Sequence, residues 1–447
     1  MITFRLPRLK IRLFHPNKVL ILLWLFLLVF PKGGFKIAGI PLTWGYLSLG
    51  LLPAFFFLRK SYSCQVDRIY AFLLTIPFQI VSFMSLFLNG IDHISFGISF
   101  IISFFFLPWL FFIYLSNSIE TMNLDLFFKL FKKGIFFISA YGIFLFFFKL
   151  YTGKFLEIPF LTINFHDLGE MKNKHNNRGY VFKLISTYNN GNIYGICLLM
   201  LLPFYQYIER SIWRKSVVII SLILTLSRTV WIGMLFSTML SVVIVSRKFF
   251  FLKLILFISL SCSAIFVLAF YFGWGSSFFF DPELGGRIEQ IRVFETASLF
   301  PDKPLFGIQE MVYLWILSNF GILGLIAYLM CMASPFILAI LRKSLSANQK
   351  SILCGLANFL FVSLSDGALL FIPVLAFYWI LSSIALRNSL ESQATFGCSK
   401  EQTKNNPRCN PLLQTDFPIH QHEESSLLSD SKHTSTLFLD RLEKRPP

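Results

Sequence analysis

Apolar stretches close to twenty residues long recur along most of this chain, separated by shorter polar connections. A helix rises about 1.5 Å per residue, so each stretch can cross a hydrocarbon core of ~30 Å. In lipid every backbone amide needs an internal partner, which leaves helices and closed barrels as spanning forms. The stretches are continuous, whereas a barrel strand would alternate residue by residue. Of 447 residues, 55 % are hydrophobic and only 14 % charged, far from the balance of a soluble chain. The fold class expected is an all-α polytopic integral membrane protein. About twelve transmembrane helices are expected, at 18–31, 36–58, 69–89, 95–116, 134–151, 192–208, 214–228, 229–246, 254–273, 311–334, 351–366 and 368–386. Val19 to Phe30 runs into Pro31 and a further apolar stretch with no small-residue cleavage site, so it reads as a first span and not a secretory signal.

The formal net charge of +17 raises nucleic acid as a partner, but the cations sit in small clusters between spans. Arg5, Arg8, Lys10 and Arg12 precede the first span, and Arg59, Lys60 and Arg68 follow the second. Lys129, Lys132 and Lys133 follow the fourth, and the series continues at 210–215, 247–253 and 342–350. Every second connection is basic, as the positive-inside rule requires, so no nucleic-acid partner is implied and both termini are assigned to the cytosol. Three segments follow: a basic cytosolic N-terminus at 1–17, a transmembrane helical domain at 18–386, and a cytosolic tail at 387–447. The tail is rich in Ser, Thr, Asn and Gln and is expected to be disordered. The seven cysteines form no CxxC pair, and His420, His422 and Glu423 read as solvated tail residues, so no metal or cofactor is expected.

Arg228, in "LTLSRTVWIG", is the only charge in the apolar run from Ser216 to Ser246. Basic clusters flank that run on both sides, and two short spans keep both clusters on one face of the membrane. The expected turn lies near Ser227, with Arg228 at the outer face; a single long tilted helix is the alternative. Two outer loops stand out by length, 152–191 and 274–310. Within the second, Ile288, Ile291, Phe294 and Leu299 recur at near-helical spacing, as in a helix lying at the interface.

Outward-facing arginines run against the positive-inside bias. Arg228 could snorkel to headgroups or cap a helix end, or it could bind an anion. A guanidinium suits diphosphate because its planar fork donates two parallel hydrogen bonds and stays charged. Arg287, after "DPELGG", and Arg178, in "NKHNNRGY", are the other outer candidates, with Arg292 beside them. An outer cluster of cations fits an anionic lipid-linked substrate.

"STYNNGNIYGICLLMLLP" (186–203), "LTLSRTVWIG" (224–233), "GGRIEQI" (285–291), "PDKPLFGIQ" (301–309) and "VYLWILSNFGILGLIAYL" (312–329) occur in one order. Together they resemble the bacterial O-antigen polymerase and ligase superfamily, over residues 186 to 329. The resemblance implies a metal-independent, inverting glycosyl transfer from an undecaprenyl-diphosphate-linked oligosaccharide at the outer face of the bacterial inner membrane. It maps the diphosphate-holding arginines onto Arg228 and Arg287; Arg178 and Arg292, from the same outer loops, are expected as weaker partners. Family ligases carry a His-Asn pair ahead of the Tyr-Leu that opens the next span. Here Glu310 and Met311 stand in those places before Tyr313-Leu314, which leans toward a repeat-unit polymerase. Glu310 could act as general base on the acceptor hydroxyl if burial raised its pKa, or be a solvated Glu at a helix start. Asn192 would cap its helix or orient sugar. A flippase and a chain-length regulator are partners by the same resemblance. A ligase delivering glycan to lipid A core or protein is the nearer alternative, and a transporter or flippase without chemistry the farther one.

Overall fold

The computed structural model describes residues 16–388, apart from 38–39, 48, 51–63, 170–176, 179–180, 301–302, 307–309, 343 and 370, and from 245–286, where only isolated positions are described. The basic N-terminus up to residue 15, residues 51–58 of the expected span 36–58, most of the expected span 254–273, the loop residues 274–286 and the polar tail therefore lie outside the described residues.

The described chain is mostly helical. Five helical stretches are long and apolar enough to cross a membrane: Val66–Asn89, Ile94–Tyr114, Leu124–Thr152, Gly191–Ile208 and Val312–Leu341. Helix α1 (Pro16–Val29) precedes them. Where a second span is expected from residue 36, the chain instead folds into an antiparallel pair, β1 (Gly34–Ile37) with β2 (Ile40–Thr43). Gly34 sits at φ +142°, a backbone state closed to side chains, and Pro41 removes an amide that a helix would need. A second short pair, β3 (Asn177–Arg178) with β4 (Val181–Phe182), lies in the long loop before residue 191. The all-α expectation is corrected accordingly: the helices carry two small hairpins in their connections.

The first long crossing is α2 (Val66–Leu73) followed by α3 (Ile76–Asn89). The next, α4 (Ile94–Ile101), continues through wide π-type turns at Ile102–Phe106 and Trp109–Tyr114, around Pro108. Widened turns loosen the backbone ladder and free carbonyls. Side chains reach four of them: Trp379 donates to Ser103, Gln79 to Phe104, Ser383 to Phe111 and Cys64 to Phe112. After α5 (Ser116–Glu120), α6 (Leu124–Thr152) begins at an Asn123 side-chain cap and ends at Gly153 in the left-handed region. Lys129, Lys132 and Lys133 therefore lie on the first turns of α6 and not in a connection. Leu124, Phe127, Phe128 and Phe131 are buried at helical spacing on the opposite side and hold those turns to the bundle.

The run holding Arg228 is a hairpin of helices. Helix α7 (Gly191–Ile208) precedes α8 (Ile212–Ile223) and α9 (Arg228–Ile244), which are joined by a turn at 224–227 with Leu226 at φ +51°. Then come α10 (Ile288–Ile291), α11 (Val312–Leu341), α12 (Ala347–Val362) and α13 (Ile372–Ala385). A Cβ on Gly355 would stand 2.0 Å from the Met200 carbonyl oxygen, so α7 and α12 touch backbone to backbone.

Helix α11 is interrupted at Gly321, at φ 68° and ψ −174°. The amides of Ile322 and Leu323, which begin a new helical stretch and lack intrahelical acceptors, donate to the carbonyls of Ser298 and Leu299 at 3.0 and 3.3 Å. Asn319 Oδ1 accepts from Phe306 N at 3.1 Å. Leu305 exchanges backbone bonds with Gly90 and Asp92. The second long loop is thus stitched into the bundle at three places.

At one end of the bundle two arginines of the basic clusters act as joints. Arg68 is fully buried and donates to Ser116 O at 2.6 Å, Ser383 O at 3.2 Å and Glu120 Oε2 at 3.1 Å. Arg342 pairs with Asp67 and donates to the Leu386 and Arg387 carbonyls. Gln349, near the start of α12, reaches the Ala385 and Arg387 carbonyls at the same end.

Candidate functional site

The opposite end of α12 carries the candidate site, assembled from helix starts and the turn between α12 and α13. Asn190 caps α7, its side chain accepting from the amides of Asn192 and Ile193. Asn192, expected to cap, lies inside the first turn, so its amide is available for other contacts. Its Nδ2 donates to Asp366 Oδ2 at 2.8 Å and its Oδ1 accepts from Lys183 Nζ at 3.2 Å. Asp366 lies in the turn after α12, and its neighbour Ser365 shares a hydroxyl contact of 3.0 Å with Thr229 on the first turn of α9. Arg228 opens α9 beside Thr229, half-buried, as the turn at 224–227 requires.

The second long loop reaches the same place. Arg287, at the start of α10, donates through Nη2 to Glu310 Oε2 at 2.5 Å. Gln290, on α10, accepts from Met311 N at 3.3 Å. Gly367 N meets Glu310 O at 3.4 Å and Val312 N meets Ser363 O at 3.2 Å, so the start of α11 lies against the Asp366 turn. Arg287, Glu310, Asp366, Asn192 and Lys183 are thereby gathered from four parts of the chain. Arg292 is exposed in the 3₁₀ turn after α10. Arg178 stands on β3 opposite Val181, and its side chain lies outside the described residues.

No family model, curated protein or solved structure matches this chain.

Asp366 is 7 % exposed, and its carboxyl is pushed up to about 6. Burial is the main cause and the charge of Glu310 adds to it, while the Asn192 hydrogen bond, Arg287 and the Ala368 amide act against it. Glu310, by contrast, is 52 % exposed and paired with Arg287. Of the two readings the sequence left open for Glu310, the solvated residue at a helix start matches its exposure, and the buried carboxyl of this end is Asp366. The signal was present: Asp366 is the only charge between Ser351 and Leu386, the same signature that singled out Arg228. Among the described residues no three His, Cys, Asp or Glu side chains gather as a metal site would need.

Chemically, this end offers two guanidinium groups near helix starts, an ammonium, a solvated carboxylate and a buried one. That combination can hold an anionic group and take up a proton within one small region.

Proposed function

We propose that this chain is a lipid-linked glycosyltransferase that polymerises surface-polysaccharide repeat units at the outer face of the bacterial inner membrane. In this reading twelve spans bring both termini to the cytosol, with 152–191 and 274–310 as periplasmic loops. The donor is a glycan on undecaprenyl diphosphate, and the acceptor is the hydroxyl of a second carrier-linked unit. Arg228 and Arg287 hold the diphosphate, with Lys183 as a neighbouring cation. As the anomeric bond breaks, charge gathers on the leaving diphosphate, and guanidinium groups already in place stabilise it. Glu310 keeps Arg287 at the rim until phosphate oxygen takes over its fork.

One observation carries the reading: the Arg287–Glu310 pair lies against the turn bearing Asp366, whose other neighbours lead to Lys183 and to the first turn of α9. Basic and acidic groups from distant parts of the chain converge at one end of an apolar bundle, where unpaired charge would be expensive.

Complementation tests it. A polymerase-deficient strain expressing wild type forms a glycan ladder, and equally expressed Arg228→Ala and Arg287→Ala variants lose it. An undiminished ladder in both variants removes their role. Finished polymer left on the carrier in a knockout would point to a ligase instead. Cysteine labelling from outside the cell checks the sidedness, since positions 228 and 287 should both react there.

A further inference from the structure

The rim holds two carboxylates with different surroundings. Glu310 is open to solvent and bound to a guanidinium, so protonating it would break an ion pair. Asp366 is withdrawn from bulk water, and one oxygen is held by a neutral amide whose own carbonyl is held by Lys183. A carboxylate fixed by an amide can take a proton without losing a charge partner. The turn that carries it is pinned from three sides, by Asn192 of α7, by Thr229 of α9 through Ser365, and by Glu310 ahead of α11 through Gly367.

Resting on the glycosyl-transfer reading, we propose that Asp366, and not Glu310, is the proton acceptor for the attacking hydroxyl. The hydroxyl oxygen forms its bond to the anomeric carbon as the bond from that carbon to the diphosphate oxygen breaks. The electron pair of the broken bond leaves with the diphosphate, and the hydroxyl proton passes to the Asp366 carboxylate. Asn192 is a positioning residue that keeps that carboxylate aimed and favours its charged form. The charged groups acting on Asp366 are Glu310 and Arg287 from the second loop, and Lys183 reaches it through Asn192.

The test uses the full chain in lipid nanodiscs, with undecaprenyl-diphosphate-linked oligosaccharides extracted from source cells lacking this protein. Turnover is followed from pH 5 to 8 for wild type, Asp366→Asn, Asp366→Glu and Glu310→Gln, and binding of undecaprenyl diphosphate alone is measured in parallel. A positioned base contributes roughly 10²–10⁴-fold, so Asp366→Asn should lower turnover at least ~100-fold, with carrier binding unchanged within about threefold. Wild-type turnover should fall as pH drops through about 6, because only the ionised carboxylate accepts the proton. Asp366→Glu should recover part of the rate, and Glu310→Gln should keep turnover and an acidic limb displaced to lower pH, because the charge of Glu310 raises Asp366. Asp366→Asn turnover within about tenfold of wild type, or a flat wild-type profile, overturns the role of Asp366 and leaves the transfer reading standing. The wild-type profile decides even if Asp366→Asn fails to fold. A wild type that binds carrier yet forms no longer glycan overturns the transfer reading and the proton acceptor with it.

Discussion

Asn192 and Asp366 are 174 residues apart in sequence, yet the Asn192 side-chain amide donates to the Asp366 carboxylate at 2.8 Å. The bond joins the first turn of α7 to the turn after α12. The two helices can stand that close because Gly355 lets their backbones touch.

A buried carboxyl with a raised pKa favours the protonated form in the folded state. Between its ordinary value of 3.8 and its folded value of about 6, the folded protein holds the extra proton, so stability contributed at low pH is lost as pH rises through that window. Asp366→Asn should therefore raise the melting temperature in detergent at pH 8. The gain should shrink toward pH 5 and vanish below about pH 4. Equal gains at pH 8 and pH 4.5 would refute this origin.

Arg287 and Glu310 form a partly exposed pair, and such pairs contribute roughly 0–1 kcal/mol to stability. Arg287→Ala should leave the melting temperature nearly unchanged. Losing a charged hydrogen bond to phosphate costs about 1.5–3 kcal/mol, or roughly 10–100-fold in affinity. Titration with undecaprenyl diphosphate reads that loss directly.

Gly321 holds φ +68°, and a Cβ there would stand 2.8 Å from the Leu299 carbonyl oxygen. Gly321→Ala should destabilise the chain by about 1–3 kcal/mol and loosen the 298–306 segment. Protease nicking within that segment provides a second readout. Gly50→Ala, where no atom lies within 4 Å of the added carbon, is the control expected to melt with wild type.

Arg68 is fully buried among Ser116, Ser383 and Glu120. Arg68→Met removes its charge and strands those acceptors, so a loss of about 3–5 kcal/mol is expected, read as a large drop in detergent melting temperature. Arg210→Met, at an exposed position, should have little effect.

The class of the fold was legible because hydrocarbon admits few solutions for a backbone, and a run of apolar residues declares its length directly. The hairpin around Arg228 was legible from the basic clusters flanking it, since two helices keep both on one side. The β1–β2 pair was not, because apolar residues such as Phe35, Ile37 and Leu42 suit a strand and a span alike, and Gly34 and Pro41 act through backbone geometry. Asp366 carries the same lone-charge signature as Arg228, but a lone charge does not reveal its partners. For Glu310 the sequence allows either a buried base or a solvated residue at a helix start, and its exposure depends on where the loop from Arg287 returns.

What the sequence determined alone is which segments seek lipid and which charges must sit at their ends, since transfer free energy is a local property of each residue. Which of those charges meet was decided by tertiary structure, because Asn192, Arg287, Glu310 and Asp366 are brought together only by helix packing and by the stitching of the second loop to the break at Gly321. Guanidinium groups of one residue type accordingly serve as a buried joint at Arg68 and as a rim ion pair at Arg287. Burial and partners, which no single residue encodes, set that difference.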